Sequence, residues 1–351
     1  MPMVAEVVDA VVGGDTHKDT HTLEMLSPVG ARLAGLQIGN DEAGFAAAAA
    51  WIVDHSPGPR VIVGLEGTRS YGVGLSRALQ QAGVRVVEVE RPKRAQRHGR
   101  GKSDPIDAHL AAVQVLGMDA DRLPTPRADG DREALRILLV GRRELSDTQT
   151  RCRNQLKALL HTGDECERSL SSGKLTQARM NTIIRRRGHA SETRVQTIRR
   201  EEARRLAQTV RDIERELTAN HKQLREIVES TAPGLLAKRG IGPVSSAQAI
   251  VSWSHRGRCR NEAAFAQLAG TPPIPASSGK IVRHRLNRGG DRQLNSALHT
   301  VAMTRWRSCP RTADYIARRR TEGKTDREIR RILKRYIARE IYRSLNTATA
   351  T

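Results

Sequence analysis

Short apolar runs separated by turns fill residues 7–38 of the chain. The runs read VVDAVVGGD, THTLEML and ARLAGLQIG, and the turn SPVG separates the last two. Runs of this length, rich in β-branched residues and bounded by turn residues, predict strands. We therefore expect three antiparallel strands joined by short turns at the start of the chain.

The pattern then alternates between helical and extended segments. A helix is predicted from Asp41 through the alanines to about His55, and then the strand RVIVGLE, a helix near Tyr71–Gln81, the strand VRVVEVE and a helix that opens at SDPIDA. Three hairpin strands followed by alternating strands and helices form the element order of a ribonuclease-H-like α/β fold. Residues 1–128 are expected to form such a domain.

Residues 129–230 carry two narrow apolar stripes at helical spacing. The first begins at Leu135 and ends at Leu159, and the second runs from Leu206 to Ile227. Alternating three- and four-residue spacing predicts two long helices of an antiparallel or intermolecular coiled coil. Asn220 lies on the second stripe, where it either sets the register or is a tolerated polar residue. The polar, arginine-rich segment 163–188 between them is expected to be partly flexible until it meets nucleic acid.

Residues 231–345 are expected to form a mostly helical third domain, followed by a disordered tail over 346–351. The sequence LLAKRGIGPVSSAQAIV places Gly240 and Gly242 between two helical runs. This resembles a helix-hairpin-helix, whose glycine turn lets backbone N–H groups approach a DNA phosphate. An ordinary turn between two helices is the alternative reading.

Charge adds a functional indication to this outline. The chain has 60 Lys and Arg against 38 Asp and Glu, a net charge of +22. Residues 1–130 hold 14 basic and 16 acidic side chains, whereas residues 131–351 hold 46 and 22. This balance indicates a polyanionic partner, and the 3% aromatic content argues against single-strand binding by base stacking.

Targeting and cysteine patterns narrow the class further. The start of the chain lacks the basic region of a secretory signal, and no stretch approaches the roughly 18 apolar residues of a membrane span. We expect a cytoplasmic protein with no membrane partner, nucleoid-associated when it acts. The four cysteines have neither CxxC spacing nor a neighbouring histidine at metal spacing, which argues against a disulfide framework and a zinc site.

Four carboxylates occupy positions that converge in such a fold. Asp15 ends the first strand, Glu66 ends the strand VIVGLE, and Asp104 and Asp107 lie three residues apart at a helix start. Strand ends meet at one edge of an α/β sheet, and residues i and i+3 share a helix face. Hard oxygen ligands of this kind suit Mg²⁺, which polarises phosphoryl oxygens.

Each of these residues also has a simpler interpretation. An aspartate before Pro105 is typical of a helix start, and acids beside glycines are typical of turns. Three other polar residues near Asp15 are expected to be solvated: His17, Asp19 and Glu24.

Four segments carry a resemblance that covers nearly the whole chain. In order they are GGDTHKDTHTLEML, VGLEGTRSYG, RPKRAQRHGRGKSDPIDAHLAA and LAGTPPIPASSGKIVRHRLNRGGDRQLNSALH, and together they resemble the DEDD transposases of the IS110 insertion-sequence family. The resemblance implies a RuvC-like N-terminal domain, a coiled coil and a C-terminal transposase domain with a nucleophilic serine. It assigns the metal-binding tetrad to Asp15, Glu66, Asp104 and Asp107.

The resemblance also implies partners. These are donor and target DNA, a structured noncoding guide RNA that pairs with both, and a homo-oligomer, a dimer or a tetramer, in which one protomer's serine works with another's carboxylates. Thr271-Pro272, with Pro273 following, replaces the apolar pair that precedes the family's proline. We interpret that departure as a local loop variation.

The segment ASSGK contains the candidate nucleophile. No His–Asp pair adjoins its serines, and on residues alone such a sequence is more often a turn. The resemblance implies a nucleophile here, and the serine directly before Gly279 fits it best. Ser278 is therefore the expected nucleophile, with Ser277 in reserve.

Basic and glycine positions near these motifs are expected to contact nucleic acid. They are Arg94, Arg97, Arg100, Lys102, Gly240, Gly242, Lys280, Arg283, Arg285 and Arg288.

The predicted function is Mg²⁺-dependent DNA strand cleavage and exchange through a serine, guided by RNA. A site-specific DNA invertase of the same family shares this chemistry and is one alternative. A RuvC-like junction-resolving nuclease explains the carboxylates but not ASSGK. A non-catalytic nucleic-acid-binding protein explains the charge but not the order of the carboxylates.

Overall fold

The first forty residues fold into the three strands that the apolar pattern predicts. A computed structural model describes residues 2–90, 103–275, 284–285 and 287–348. Five strands form one sheet: β1 (Ala10–Thr16), β2 (Thr20–Leu26), β3 (Arg32–Gly39), β4 (Val61–Leu65) and β5 (Arg85–Glu88). Two further strands pair with each other: β6 (Ile274–Pro275) and β7 (His284–Arg285).

The helices and their bounds follow the same sequence order. They are α1 (Val4–Val7), α2 (Glu42–His55), α3 (Val73–Gln81), α4 (Asp104–Leu116), α5 (Gly130–His161), α6 (Glu165–Ser171), α7 (Gln177–Arg185), α8 (Arg194–Thr231), α9 (Pro233–Leu236), α10 (Pro243–Trp253), α11 (Glu262–Leu268), α12 (Arg292–Ser308), α13 (Pro310–Thr321) and α14 (Asp326–Ala348).

The five-stranded sheet has the order β3-β2-β1-β4-β5. The pairs β1–β2 and β2–β3 are antiparallel, whereas β4 runs parallel to β1 and β5 runs parallel to β4. This mixed topology is consistent with the expected ribonuclease-H-like domain. Since β1, β4 and β5 are parallel, their carboxyl ends meet at one edge of the sheet.

Alternate residues of the strands belong to two apolar cores, one on each face of the sheet. On one face Val12 and Leu65 pack with residues of α2 and α3, including Trp51. On the other face Val11 and Ile62 pack against α1 and α4. Both faces of the central strands are therefore covered, which explains why β2 is buried from His21 to Leu26 although it contains polar residues.

Gly13 lets α4 lie directly against β1. A Cβ at this position would overlap the backbone of Ala108 and Ala112 in α4. Only glycine permits so close an approach of backbone to backbone. The N-terminal turn of α4, which carries Asp104 and Asp107, is thus held near the end of β1.

Replacing Gly13 by alanine should push α4 away from the sheet. We expect the free energy of unfolding to fall by about 1–3 kcal/mol, as for other overpacked cores. Gly117→Ala is the matched control, because no atom lies closer than 3.7 Å to a Cβ there and its φ is −84°. Urea denaturation of both variants measures the difference. Equal effects of the two substitutions would contradict a special role for Gly13.

The chain forms two compact units, each made of separate stretches. The first contains residues 1–133, 252–290 and 338–351, and the second contains residues 134–251 and 291–337. These units are not consecutive, whereas the sequence analysis divided the chain into four consecutive segments: 1–128, 129–230, 231–345 and 346–351. That division stays a prediction. Residues 346–348 belong to α14 rather than to the expected tail, and residues 349–351 lie outside the described residues.

Within the first unit, the end of α14 secures residues 259–265. The Tyr342 hydroxyl donates a hydrogen bond to the Cys259 carbonyl oxygen at 2.9 Å, and the Tyr342 ring lies 5.8 Å from the Phe265 ring. Arg343 Nε contacts a carboxylate oxygen of Glu262 at 3.2 Å. The last turns of α14 therefore belong to the unit that contains the sheet.

In the second unit, α5 and α8 pack side by side in opposite directions. The Asn220 amide donates to the Leu138 carbonyl oxygen at 2.9 Å, and Arg142 Nη1 donates to the Leu217 carbonyl oxygen at 3.1 Å. Arg142 also approaches the Asn220 side-chain oxygen at 3.4 Å. These polar contacts occur at one relative position of the helices, which favours a register-setting role for Asn220.

The helices were compared with the length and apolar character of a membrane span. Among the described residues, no helix combines the length and apolar character needed to cross a bilayer.

Candidate metal and DNA site

Two of the predicted carboxylates lie at the carboxyl edge of the parallel strands. Asp15 is the penultimate residue of β1, and Glu66 directly follows β4. Gly14 pairs with Leu65 across the two strands, and the Glu66 N–H donates to the Gly14 carbonyl oxygen at 3.1 Å. The backbones of Asp15 and Glu66 are therefore neighbours, as strand order predicted.

The other two predicted carboxylates are in the first turn of α4. Asp104 is the first residue of the helix and Pro105 the second; the N-cap is Ser103, without a side-chain capping hydrogen bond, so the interpretation of Asp104 as the capping residue is wrong. Asp107 is buried and interacts electrostatically with Asp15. The helix thus brings both aspartates to the end of β1.

His17 joins this cluster, although the sequence reading treated it as solvated. Its Nε2 lies 3.1 Å from Asp15 Oδ2 and 3.4 Å from Asp104 Oδ1. One potential ligand atom from each of Asp15, His17 and Asp104 lies within 4.8 Å of the others. His17 directly follows β1, and residues two apart in an extended chain share a face, so the spacing of Asp15 and His17 contained the signal.

The electrostatics of Asp15 reflect this crowding. Burial raises the pKa of its carboxyl above the usual value, and the charges of Asp107 and Asp104 raise it further. The His17 imidazole beside it acts in the opposite direction on that pKa. Gathered negative charge of this kind is costly without a counter-ion, and a divalent cation relieves it.

Glu24, also expected to be solvated, is buried on β2. Its carboxylate accepts a hydrogen bond at 2.8 Å from His109 Nδ1 of α4, and Arg32 Nε lies 3.8 Å away. These partners compensate the buried charge and tie α4 to the sheet. Asp19 is exposed, as expected.

The candidate nucleophile and several of the expected basic residues fall in segments outside the described residues. Six of the expected site residues lie outside the described residues together with Ser277 and Ser278: Arg94, Arg97, Arg100, Lys102, Lys280 and Arg283. Arg285, in β7, and Arg288 are exposed. Ile274 pairs with Arg285 and Pro275 with His284, so the chain enters and leaves segment 276–283 through paired strands.

The glycine turn lies between α9 and α10. Gly240 has a φ of +79°, a conformation that favours glycine, and the neighbouring Arg239 carbonyl oxygen accepts a hydrogen bond from Arg305 Nε of α12 at 2.8 Å. A Cβ at Gly242 would meet open space. The turn therefore packs against protein at Gly240 and is open at Gly242, which agrees with either interpretation of the motif.

Two family models match the chain. One, the DEDD type of IS110, is described as "Transposase" and matches residues 12–163; the other, described as "Transposase IS116/IS110/IS902 family", matches residues 234–317. Similar proteins include an uncharacterized 43.6 kDa protein of insertion element IS110 from Streptomyces coelicolor, 23% identical over 91% of this chain and 90% of that protein. An uncharacterized 42 kDa protein of insertion element IS900 from Mycobacterium paratuberculosis is 24% identical over 89% of each chain.

These matches place the chain among the transposases of insertion elements, enzymes that cleave and recombine DNA. Within that class it belongs to the IS110 family, as the sequence motifs indicated.

Proposed function

We propose that this transposase cleaves and rejoins DNA with the tetrad Asp15, Glu66, Asp104 and Asp107 as a Mg²⁺ site and Ser278 as the nucleophile. The observation that carries the proposal is the meeting of Asp15, from the end of β1, and Asp104, from the start of α4, beside His17. That arrangement lies in a family whose substrate is DNA.

The residues present fit a divalent cation. Asp15 and Asp104 offer carboxylate oxygens within one small cluster, His17 adds an imidazole nitrogen, and Asp107 is close enough to interact with Asp15. When bound, the ion would supply Lewis-acid polarisation of a phosphodiester and neutralise its developing charge. Oxygen ligands favour Mg²⁺ or Mn²⁺, and the imidazole is the more usual ligand of transition metals.

The serine chemistry conserves the phosphate bond energy. The Ser278 oxygen forms an ester bond to phosphorus as the bond from phosphorus to a DNA oxygen breaks, and the proton lost by the serine balances the one gained by the leaving DNA hydroxyl. A second DNA hydroxyl then attacks the phosphoserine and releases the serine. One ester bond forms and one breaks in each step, so strand exchange needs neither net hydrolysis nor an external energy source.

The chain's own residues divide the remaining tasks. The four carboxylates would hold a divalent cation that polarises the reacting phosphate, and the exposed Arg285 and Arg288 bind neighbouring phosphates. The family's guide RNA would supply sequence recognition by base pairing, which agrees with a sequence that has no zinc-finger spacing. A homo-oligomer would let the serine of one protomer work with the carboxylates of another.

Removing divalent metal tests the proposal. With Mg²⁺ and a transcript of the element's noncoding end, we expect the purified protein to cut a duplex that spans an element end. Excess EDTA should abolish cutting, and added Mg²⁺ or Mn²⁺ should restore it, because the carboxylates alone repel the phosphate. Denaturing gels measure cutting, and fluorescence anisotropy checks that DNA remains bound in EDTA. Undiminished cutting in EDTA would refute the metal role.

A further inference from the structure

Four arginines gather beside Glu88, the last residue of β5. They form what we call the arginine cluster: Arg69, Arg127, Arg132 and Arg258. Arg127 binds the Glu88 carboxylate with two nitrogens, its Nε at 2.6 Å, and Arg69 Nε lies 3.8 Å from the same carboxylate. Arg132 interacts electrostatically with the other three arginines, so all four share one neighbourhood.

Hydrogen bonds to the backbone hold two members in place. Arg132 Nη1 donates to the Arg127 carbonyl oxygen at 3.3 Å, and Arg258 Nη1 donates to the Ser252 carbonyl oxygen at 3.1 Å. Gly257, with a φ of +101°, brings its loop against Arg122, in the segment that leads to Arg127. The cluster is therefore built by the fold and is not a chance meeting of mobile surface side chains.

The cluster lies on the same edge of the sheet as the carboxylates. Glu88 pairs with Leu65, and Leu65 pairs with Gly14, so Glu88 continues the row formed by the ends of β1 and β4. Neighbouring strands are about 4.8 Å apart, which places the backbone of Glu88 roughly 5 Å from the end of β4 and 10 Å from the end of β1. Arg69 also follows Glu66 by three residues in the intervening turn.

Like charges meet at this position. Arg69, Arg127 and Arg258 act on Arg132 against the opposing charge of Glu88, and Glu90 opposes the neighbouring arginines at Arg258. Burial and the neighbouring arginines lower the pKa of Arg132 to about 10. The same two causes lower the pKa of His255 to about 4, so His255 is neutral at pH 7 and adds no charge. Partly desolvated cations that repel one another cost folding free energy, and a bound anion would remove that cost.

We propose that the arginine cluster binds a backbone phosphate of the DNA strand that lies in the carboxylate site, one to three nucleotides from the phosphate under attack. A separation of about 5–10 Å matches that spacing, since phosphates of one strand recur about every 3.4 Å along the helix axis. Guanidinium groups match phosphate geometry with paired hydrogen bonds. The inference rests on the proposed function in taking the carboxylates as the place of cleavage.

The test compares two arginines of the same unit at opposite edges of the sheet. Arg69→Gln removes one positive charge from the cluster, at the exposed arginine that pairs with Glu88. Arg60→Gln removes one positive charge just before β4, where Arg60 pairs with Asp9. The full-length protein is titrated into a labelled duplex of about 30 base pairs spanning an element end, in EDTA, at several salt concentrations. We expect Arg69→Gln to raise Kd about tenfold and to reduce the salt slope by about 1. Arg60→Gln should leave both nearly unchanged.

Equal slopes for the two variants would overturn the proposal. If Arg69→Gln lowers the melting temperature, the same DNA titrations are made with Glu88→Gln. Removing the internal carboxylate should steepen the salt slope and tighten DNA binding if the cluster takes a phosphate, and an unchanged slope would show a structural cluster only.

The same titrations with single-stranded RNA of the same length show whether the cluster binds DNA or RNA. An Arg69→Gln effect that appears with RNA but is absent with DNA would overturn the assignment to DNA. Because these titrations measure binding without metal, their outcome is independent of whether metal-dependent cleavage succeeds.

Discussion

Replacing Asp104 by asparagine is expected to lower the rate of strand cleavage by about 10³-fold or more. The substitution keeps the size of the side chain but removes a negative ligand from the cluster with Asp15 and His17. A thousandfold loss corresponds to about 4 kcal/mol of transition-state stabilisation, within what metal ligation supplies. The Asp104 side chain is 46% exposed, so the variant should fold normally, whereas the buried Asp107 would confound activity with stability.

Single-turnover cleavage of the element-end duplex measures this effect. Asp54→Asn is the matched control, since Asp54 is exposed on α2, which packs on the other face of the sheet from α4. Its rate should match that of the wild type. DNA affinity should change less than about twofold in both variants, because the excess positive charge lies elsewhere in the chain. Cleavage by Asp104→Asn at a tenth of the wild-type rate or faster would remove Asp104 from the metal site.

The second large effect is expected at the serines. Ser278→Ala should keep nucleic-acid binding and lose both the covalent protein–DNA adduct and recombination, because alanine retains the backbone but lacks the attacking oxygen. Denaturing gels of the wild type, Ser277→Ala and Ser278→Ala detect the adduct. Ser277→Ala is the internal control and should form it.

Two outcomes would redirect the mechanism. An adduct that persists in Ser278→Ala and disappears in Ser277→Ala would move the nucleophile by one residue. Recombination that survives both substitutions would mean that water or a DNA hydroxyl attacks directly, and a junction-resolving nuclease would then describe the chemistry better.

Local sequence patterns predicted the sheet and most of the carboxylate cluster. Strand ends and a helix start are local features, so the positions of Asp15, Glu66 and Asp104 in the fold followed from periodicity and topology, whereas their assignment as a tetrad came from the family resemblance. Glu24 was misread, because β2 is covered on both faces and alternation no longer separates buried from exposed positions. The partners that make its burial tolerable, His109 and Arg32, lie on other elements.

Local sequence patterns did not predict contacts between stretches that are far apart in the chain. The arginine cluster joins Arg69 to Arg258, and no periodic signal links positions so far apart. The same holds for the end of α14, which was expected to be a tail from residue 346 and instead continues as helix to Ala348. The polar and aromatic contacts of α14 with residues 259–265 became visible only in three dimensions.

The three-stretch composition of the first unit has a consequence for its biosynthesis. A ribosome that adds roughly 5–20 residues per second needs about 10–40 seconds to proceed from residue 133 to residue 338. During that time the nascent chain already holds the carboxylates but lacks the turns of α14 that secure residues 259–265. A product of interrupted translation would therefore carry the four carboxylates without the contacts that Tyr342 and Arg343 make with residues 259–265.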